Sequence, residues 1–164
     1  VENCPPVVCE ASDLVLSFVN AESLDEWLPG AAPSDVAAAT ELRDSLVVLL
    51  REHSGCALDE GAVAAAEGHL RQVATRYPLV AVVGADACGL EPVHGGPFGT
   101  FARVLGAVTD LAYRGAWPRT KVCKNDTCHT GFFDKTRNTS GLYCSPACSS
   151  QASMRAYRNR RKAA

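Results

Sequence analysis

The sequence predicts a mainly α protein in two unequal parts. A helical N-terminal domain with one short β-hairpin spans residues 1–118. A small cysteine-rich module of knuckle, β-hairpin and C-terminal helix spans 119–164. Three observations predict this. Apolar residues recur at helical spacing through most of the first part. The period changes at Leu79 to Val83, where a β-branched run begins. Four of the eight cysteines then fall within residues 123–148, next to a helix-start signal.

Leu14, Phe18 and Val19 share one face of a short first helix. Ser23-x-x-Glu26 has the form of a capping box ahead of Trp27 and Leu28, with Pro29-Gly30 as its stop. Pro33-Ser34 opens a longer helix, continued by Val36, Ala39, Leu42, Leu46, Leu49 and Leu50 and ended by Gly55. Asp59 is the expected cap of the next, with Val63, Ala66, Leu70 and Val73 as its apolar positions. Tyr77-Pro78 closes it, because the residue before proline avoids the helical region. Gly84-Ala85-Asp86 is turn chemistry between the run at Leu79 and a return strand at Gly89 to Val93. Phe98, Phe101, Ala102, Leu105, Val108 and Leu111 form one more amphipathic helix, ending at Gly115.

A chain of 164 residues can build one ordinary domain, or one domain with a small module. An apolar content of 47% supports a packed core, and no apolar run reaches membrane-spanning length. The N-terminus carries Glu2, Glu10 and Asp13 and no basic start, so it does not read as a secretory signal, and a cytoplasmic protein is expected. The net charge of −2 hides a split. Residues 1–118 hold 16 acidic and 6 basic side chains, a net of −10; residues 119–164 hold 2 and 10, a net of +8. A small basic end on an acidic chain points to a polyanionic partner. No phosphate-binding loop, dinucleotide fingerprint or H-E-x-x-H motif occurs. His53, His69 and His94 stand apart from any nucleophile or carboxylate in sequence, and no enzyme activity is expected.

The cysteine spacing is Cys123-x4-Cys128-x15-Cys144-x3-Cys148. Two close pairs separated by an excursion form a metal-cage pattern. Lys124 to Thr127 fit a tight knuckle, Phe132-Phe133 an outgoing strand, Asn138 to Gly141 a turn, and Leu142-Tyr143 the return. Ser145 suits an N-cap and Pro146 the first helical position, which puts Cys148 in the first turn, where the dipole favours thiolate. These are the parts of a treble-clef-like zinc module. Four thiolates leave no open coordination position, so the expected zinc is single and structural. Two disulfides or four unrelated thiols are the alternatives, and a reducing cytosol argues against the first. His129 adjoins Cys128 and is read as a bystander. Cys4 and Cys9 repeat the x4 spacing without a second pair; with Cys56 and Cys88 they are read as small apolar or idle thiols, a Cys4–Cys9 disulfide being the minority reading.

The last helix is crowded with Arg155, Arg158, Arg160, Arg161 and Lys162. Arg155, Arg158 and Lys162 share a face, flanked by Arg161. Lys121, Lys124, Lys135 and Arg137 come from the knuckle and hairpin. Met154 and Tyr157 are expected to turn back onto Phe132 or Phe133. A basic helix on a metal-held frame favours nucleic-acid binding, with Lys121, Lys124, Lys135, Arg137, Arg155, Arg158, Arg161 and Lys162 as candidate contacts.

Cys123-x4-Cys128-x3-Phe132-Phe133-Asp134-x-Thr136-Arg137-Asn138, then Tyr143-Cys144-Ser145-x2-Cys148 and Ala156-Tyr157-Arg158-x-Arg160-Arg161, resemble the CGNR zinc-finger family of bacterial proteins. Leu14-Val15-Leu16-Ser17-Phe18-Val19-Asn20 is similar to the opening of ABATE, the helical domain that members usually carry, in which Asp often stands where Ser17 does. The resemblance covers about residues 12–162. It implies a stress-induced transcription regulator with the zinc module on DNA. Ser149-Ser150-Gln151 replaces the Gly-Asn-Arg of the family's name, so an arginine at the helix start is missing.

The leading expectation is therefore a transcriptional regulator whose helical domain senses a small-molecule effector or forms a homodimer. The alternative is a protein-interaction module in which the basic finger docks an acidic partner or the chain's own acidic N-terminal domain.

Overall fold

The computed structural model describes residues 6–163. Helix α1 spans Pro6–Val19, α2 Pro33–His53, α3 Ala62–Arg76, α4 Gly96–Tyr113 and α5 Pro146–Ala163. Strands β1 (Leu79–Val83) and β2 (Cys88–Pro92) form one antiparallel hairpin, and β3 (Thr120–Val122) and β4 (Gly131–Phe133) form another. A turn of 3-10 helix, Trp117–Arg119, leads from α4 into β3.

The core lies between α1, α2 and α4, with α3 against α2. Leu42, Leu46 and Leu50 recur every four residues, so they form one stripe on α2, and all three are fully buried. Val15 and Phe18 of α1 and Phe101, Val104 and Leu111 of α4 meet that stripe. Each such side chain contributes about 1.5–3 kcal/mol on leaving water. Tyr77 stacks on Phe98 and meets Phe101 edge-on, both at 5.1 Å, so the end of α3 is pinned to the start of α4.

Several local expectations change. α1 begins at Pro6, two turns ahead of Leu14, and Val8 and Ala11 in those turns are already buried. Ser23-x-x-Glu26 starts no helix: Ser23 Oγ accepts the Asp25 N–H at 3.2 Å and donates to its carboxylate at 3.0 Å, which closes a local turn instead. Pro29 then leaves no room for a second turn. α3 is led by Gly61 at φ +80°, and Asp59 contributes only its carbonyl, to the Ala62 N–H at 3.1 Å.

The second hairpin is also drawn differently from the expectation. Its strands flank the first cysteine pair, so the knuckle is the hairpin's own turn. Leu142-Tyr143 is not a strand; Leu142 only accepts the Lys124 N–H at 2.9 Å. Met154 and Tyr157 do not fold back: they are 55% and 54% exposed on α5.

The hairpin rests on the helices through polar contacts. Asn20, at the end of α1, brackets Gly131, accepting its N–H at 2.7 Å and donating to its carbonyl at 2.9 Å. A Cβ at Gly131 would meet Asn20 Oδ1 and Leu16 Cδ2 at 3.2 Å, so glycine lets the strand approach α1 this closely without displacing either side chain. At the end of α2, Ser54 Oγ accepts the Val122 N–H at 2.9 Å, and His53 Nδ1 donates to the Thr120 carbonyl at 2.9 Å while its ring meets Trp117 edge-on. Burial pushes the His53 pKa down, against the opposing pull of that hydrogen bond.

Candidate metal centre

Three pieces of backbone bring the four sulfurs together. Cys123 leaves β3, and its N–H donates to the Thr130 carbonyl at 2.9 Å across the mouth of the knuckle. Cys128 is held by its own N–H on the Asn125 carbonyl at 2.8 Å. Cys144 and Cys148 flank the start of α5, where Ser145 Oγ accepts the Cys148 N–H at 3.2 Å as the expected cap.

The Sγ atoms all lie within 4.8 Å of one another, with Cys128–Cys144 at 3.6 Å and Cys144–Cys148 at 3.7 Å. A tetrahedral zinc with Zn–S bonds of about 2.3 Å has S–S edges of about 3.8 Å. These two edges fit that cage and are far beyond a disulfide bond of about 2.05 Å. Burial and the neighbouring thiols push Cys144 up to about 12, whereas Asn125 and Ser145 side chains bring Cys148 down to about 6. Four thiols this close cannot ionise together without a cation among them. The residues therefore fit one structural Zn²⁺ held by Cys123, Cys128, Cys144 and Cys148. His129 is exposed and outside the cluster.

The surrounding polar shell was not legible as such in the sequence. Asn125 is 1% exposed; its Nδ2 donates to Gln151 Oε1 at 2.9 Å, which ties the knuckle to the second turn of α5. Thr130 Oγ1 lies 3.2 Å from Cys128 Sγ, and hydrogen bonding there lowers that thiol's pKa. Arg155 Nη1 donates to Asp126 Oδ2 at 2.7 Å, a second tie between the same two elements.

Lys121 is not a surface cation. It is 3% exposed, and Nζ donates to Asp134 Oδ2 at 2.8 Å, the Thr139 carbonyl at 2.6 Å and the Gly141 carbonyl at 3.2 Å, so all three of its donors are taken. Its place in the candidate nucleic-acid set is withdrawn, because the alternation along β3 turns its side chain into the module. Asp134, also buried, accepts at Oδ1 from the Thr136 N–H and hydroxyl and at Oδ2 from Lys121 and the Gly141 N–H. Burial alone would raise its pKa; these four hydrogen bonds, led by Lys121, outweigh that and hold it at about 2. Arg119 closes the same loop by donating to the Asp134 and Thr136 carbonyls at 3.1 and 2.7 Å.

The other candidates divide by place. Lys124 is half-buried; Lys135 and Arg137 stand exposed on the loop after β4. Arg158, Arg161 and Lys162, with Arg160, occupy the free end of α5, and their side chains make no ion pair or hydrogen bond among the described residues. Cys56 and Cys88 are free thiols. Cys9 is disulfide-bonded, which corrects its reading as an idle thiol; Cys4 lies outside the described residues.

One histidine does meet a hydroxyl and a carboxylate. His69 Nδ1 lies 2.8 Å from Ser45 Oγ and its Nε2 lies 3.8 Å from Glu41. The Ser45 hydroxyl also lies 2.9 Å from the Glu41 carbonyl, one turn back on α2.

Residues 119–161 match the family model described as the CGNR zinc finger. A comparison with curated proteins returned no match to the chain. No helix among the described residues is long and apolar enough to cross a membrane.

Proposed function

We propose that this chain is a DNA-binding regulator of transcription, in which the zinc site clamps the root of α5 and the free end of that helix meets the duplex. The observation behind this reading is the exposure of Arg158, Arg160, Arg161 and Lys162 on a helix whose first turns are locked by Cys148, by Gln151 on Asn125 and by Arg155 on Asp126. Cations with no internal partner, on a rigid mount, suit the phosphate backbone, which dominates duplex affinity. Lys124, Lys135 and Arg137 add to the same basic module. The resemblance implies an arginine where Gln151 stands; here that position ties the helix to the knuckle, so phosphate contact falls to the cations further along.

A second reading follows from Met154 and Tyr157, whose exposure beside the cations also suits an acidic protein partner.

The test is fluorescence anisotropy of the zinc-loaded chain on random-sequence duplex across a salt series. Affinity should fall with a slope of about −0.9 per phosphate neutralised. Arg158→Ala with Arg161→Ala and Lys162→Ala should flatten that slope by about 2 to 3. Absence of binding at low salt, or a slope that the triple variant leaves unchanged, would turn the reading to the acidic protein partner.

A further inference from the structure

The hairpin of β1 and β2 has an edge with unusual features. The Gly84 N–H donates to the Ala87 carbonyl at 2.9 Å and the Val93 N–H to the Pro78 carbonyl at 3.2 Å. With the register Val80↔Glu91 and Val82↔Gly89, the even positions of β1 face β2. The N–H and C=O groups of Leu79, Ala81 and Val83 therefore point to the opposite edge, where no strand lies among the described residues.

Natural sheets guard such edges with charge, proline or a bulge. β2 is guarded: it carries Glu91, and Pro92 gives its outer edge no N–H. β1, Leu-Val-Ala-Val-Val, has none of these devices. Its side chains are nevertheless open, with Val80, Val82 and Val83 at 48%, 41% and 78% exposure.

We propose that this edge pairs with the same edge of a second copy of the chain, antiparallel about Ala81. The strand is complementary to itself. Ala81 then lies opposite the partner's Ala81, and Leu79 opposite the partner's Val83, so every outward N–H finds an outward carbonyl. On one face Val80 meets the partner's Val82, and Val82 the partner's Val80; β-branched pairs of this kind stabilise antiparallel sheets. The joint brings no charge against charge, because the hairpin's acids, Asp86 and Glu91, stay on the turns and the outer strands. Two marginal two-stranded sheets become one sheet of four strands, and the contact is isologous, so assembly stops at the dimer. The proposal is independent of any DNA contact.

Sedimentation equilibrium of the zinc-loaded full chain, without nucleic acid, tests it. The expected result is a reversible monomer–dimer equilibrium at concentrations up to roughly 100 μM. Ala81→Pro removes the central outward N–H and leaves the β1–β2 ladder intact; it should weaken the dimer by roughly tenfold or more. Val80→Lys with Val82→Lys, and separately Val80→Glu with Val82→Glu, should each be monomeric, and an equal mixture of the two should recover the two-chain mass. Unchanged circular dichroism and zinc content separate lost pairing from lost folding. A wild-type chain that stays monomeric, a dimer indifferent to Ala81→Pro, or lysine and glutamate variants that fail to recover on mixing would each overturn the proposal.

Discussion

Replacing Asp134 with asparagine changes the module's volume hardly at all and removes one charge from its most buried ion pair. The asparagine keeps one acceptor oxygen where the carboxylate has two. Its amide nitrogen must face either the Thr136 N–H and hydroxyl or Lys121 and the Gly141 N–H, and both sets are donors. The magnitude has two sources. The carboxyl's pKa lies at about 2 against an ordinary 3.8, a depression that corresponds to roughly 2 kcal/mol of stability at neutral pH. The Lys121 ammonium, 4% exposed, loses its anionic partner in either orientation, and orphaning one partner of a buried pair typically costs about 3–5 kcal/mol. We expect a loss of about 3–5 kcal/mol. The sign follows from the depressed pKa: the contribution is complete above the unfolded value and fades as pH falls from about 4 toward 2. Urea denaturation at pH 7 and fixed free zinc measures the loss, and Lys121→Met in the Asp134→Asn background should recover part of it by removing the stranded cation. A loss below about 1 kcal/mol, or strict additivity of the two substitutions, would refute the account of this pair.

Gly141→Ala should destabilise the same loop by about 1–3 kcal/mol in a thermal melt, since its Cβ would sit 2.6 Å from Asp134 Oδ1 and that carboxylate is anchored from four directions. Asn20→Ala strands both polar groups of Gly131 and should cost about 1–3 kcal/mol, read as a lower urea midpoint, with hydrogen exchange at Gly131 accelerated. His53, whose folded pKa is lowered, stabilises the docked hairpin above its unfolded pKa of 6.5 and loses that contribution as pH falls below it; the wild-type stability profile should drop in that window, and His53→Gln should be flatter there. Metal analysis should find one zinc per chain, with Cys148→Ser and strong chelators melting residues 119–163 while the circular dichroism of the α1–α4 core persists.

The long helices were legible because leucines at 42, 46 and 50, and aromatic and aliphatic residues from Phe98 to Leu111, repeat at the helical period and are bounded by Pro33, Pro78 and Gly115. The four ligands were legible because a tetrahedral cage imposes its spacing on the sequence. β3 was not: three residues after Trp117-Pro118-Arg119 are too few to show alternation, and the strand exists because Ser54, His53 and β4 satisfy its backbone. Lys121 illustrates the same limit. In sequence it is one cation among ten in a basic segment, and only the loop from Asp134 to Gly141, folded over it, turns it from a surface charge into an interior one. Asn20 and Gly131 are 111 positions apart, and nothing local to either announces the other.

Among the described residues, the 18-residue α5 is tied to the module from Cys148 to Arg155, and its last turns project free. Measured from Cys148 it behaves as a lever about 22 Å long, and a rotation of about 10° at the clamp carries its far end about 4 Å. The sulfur cage thus sets the aim of the helix as well as its stability. An ion of different bond length from zinc would leave every cysteine in place and still point the arginines somewhere else.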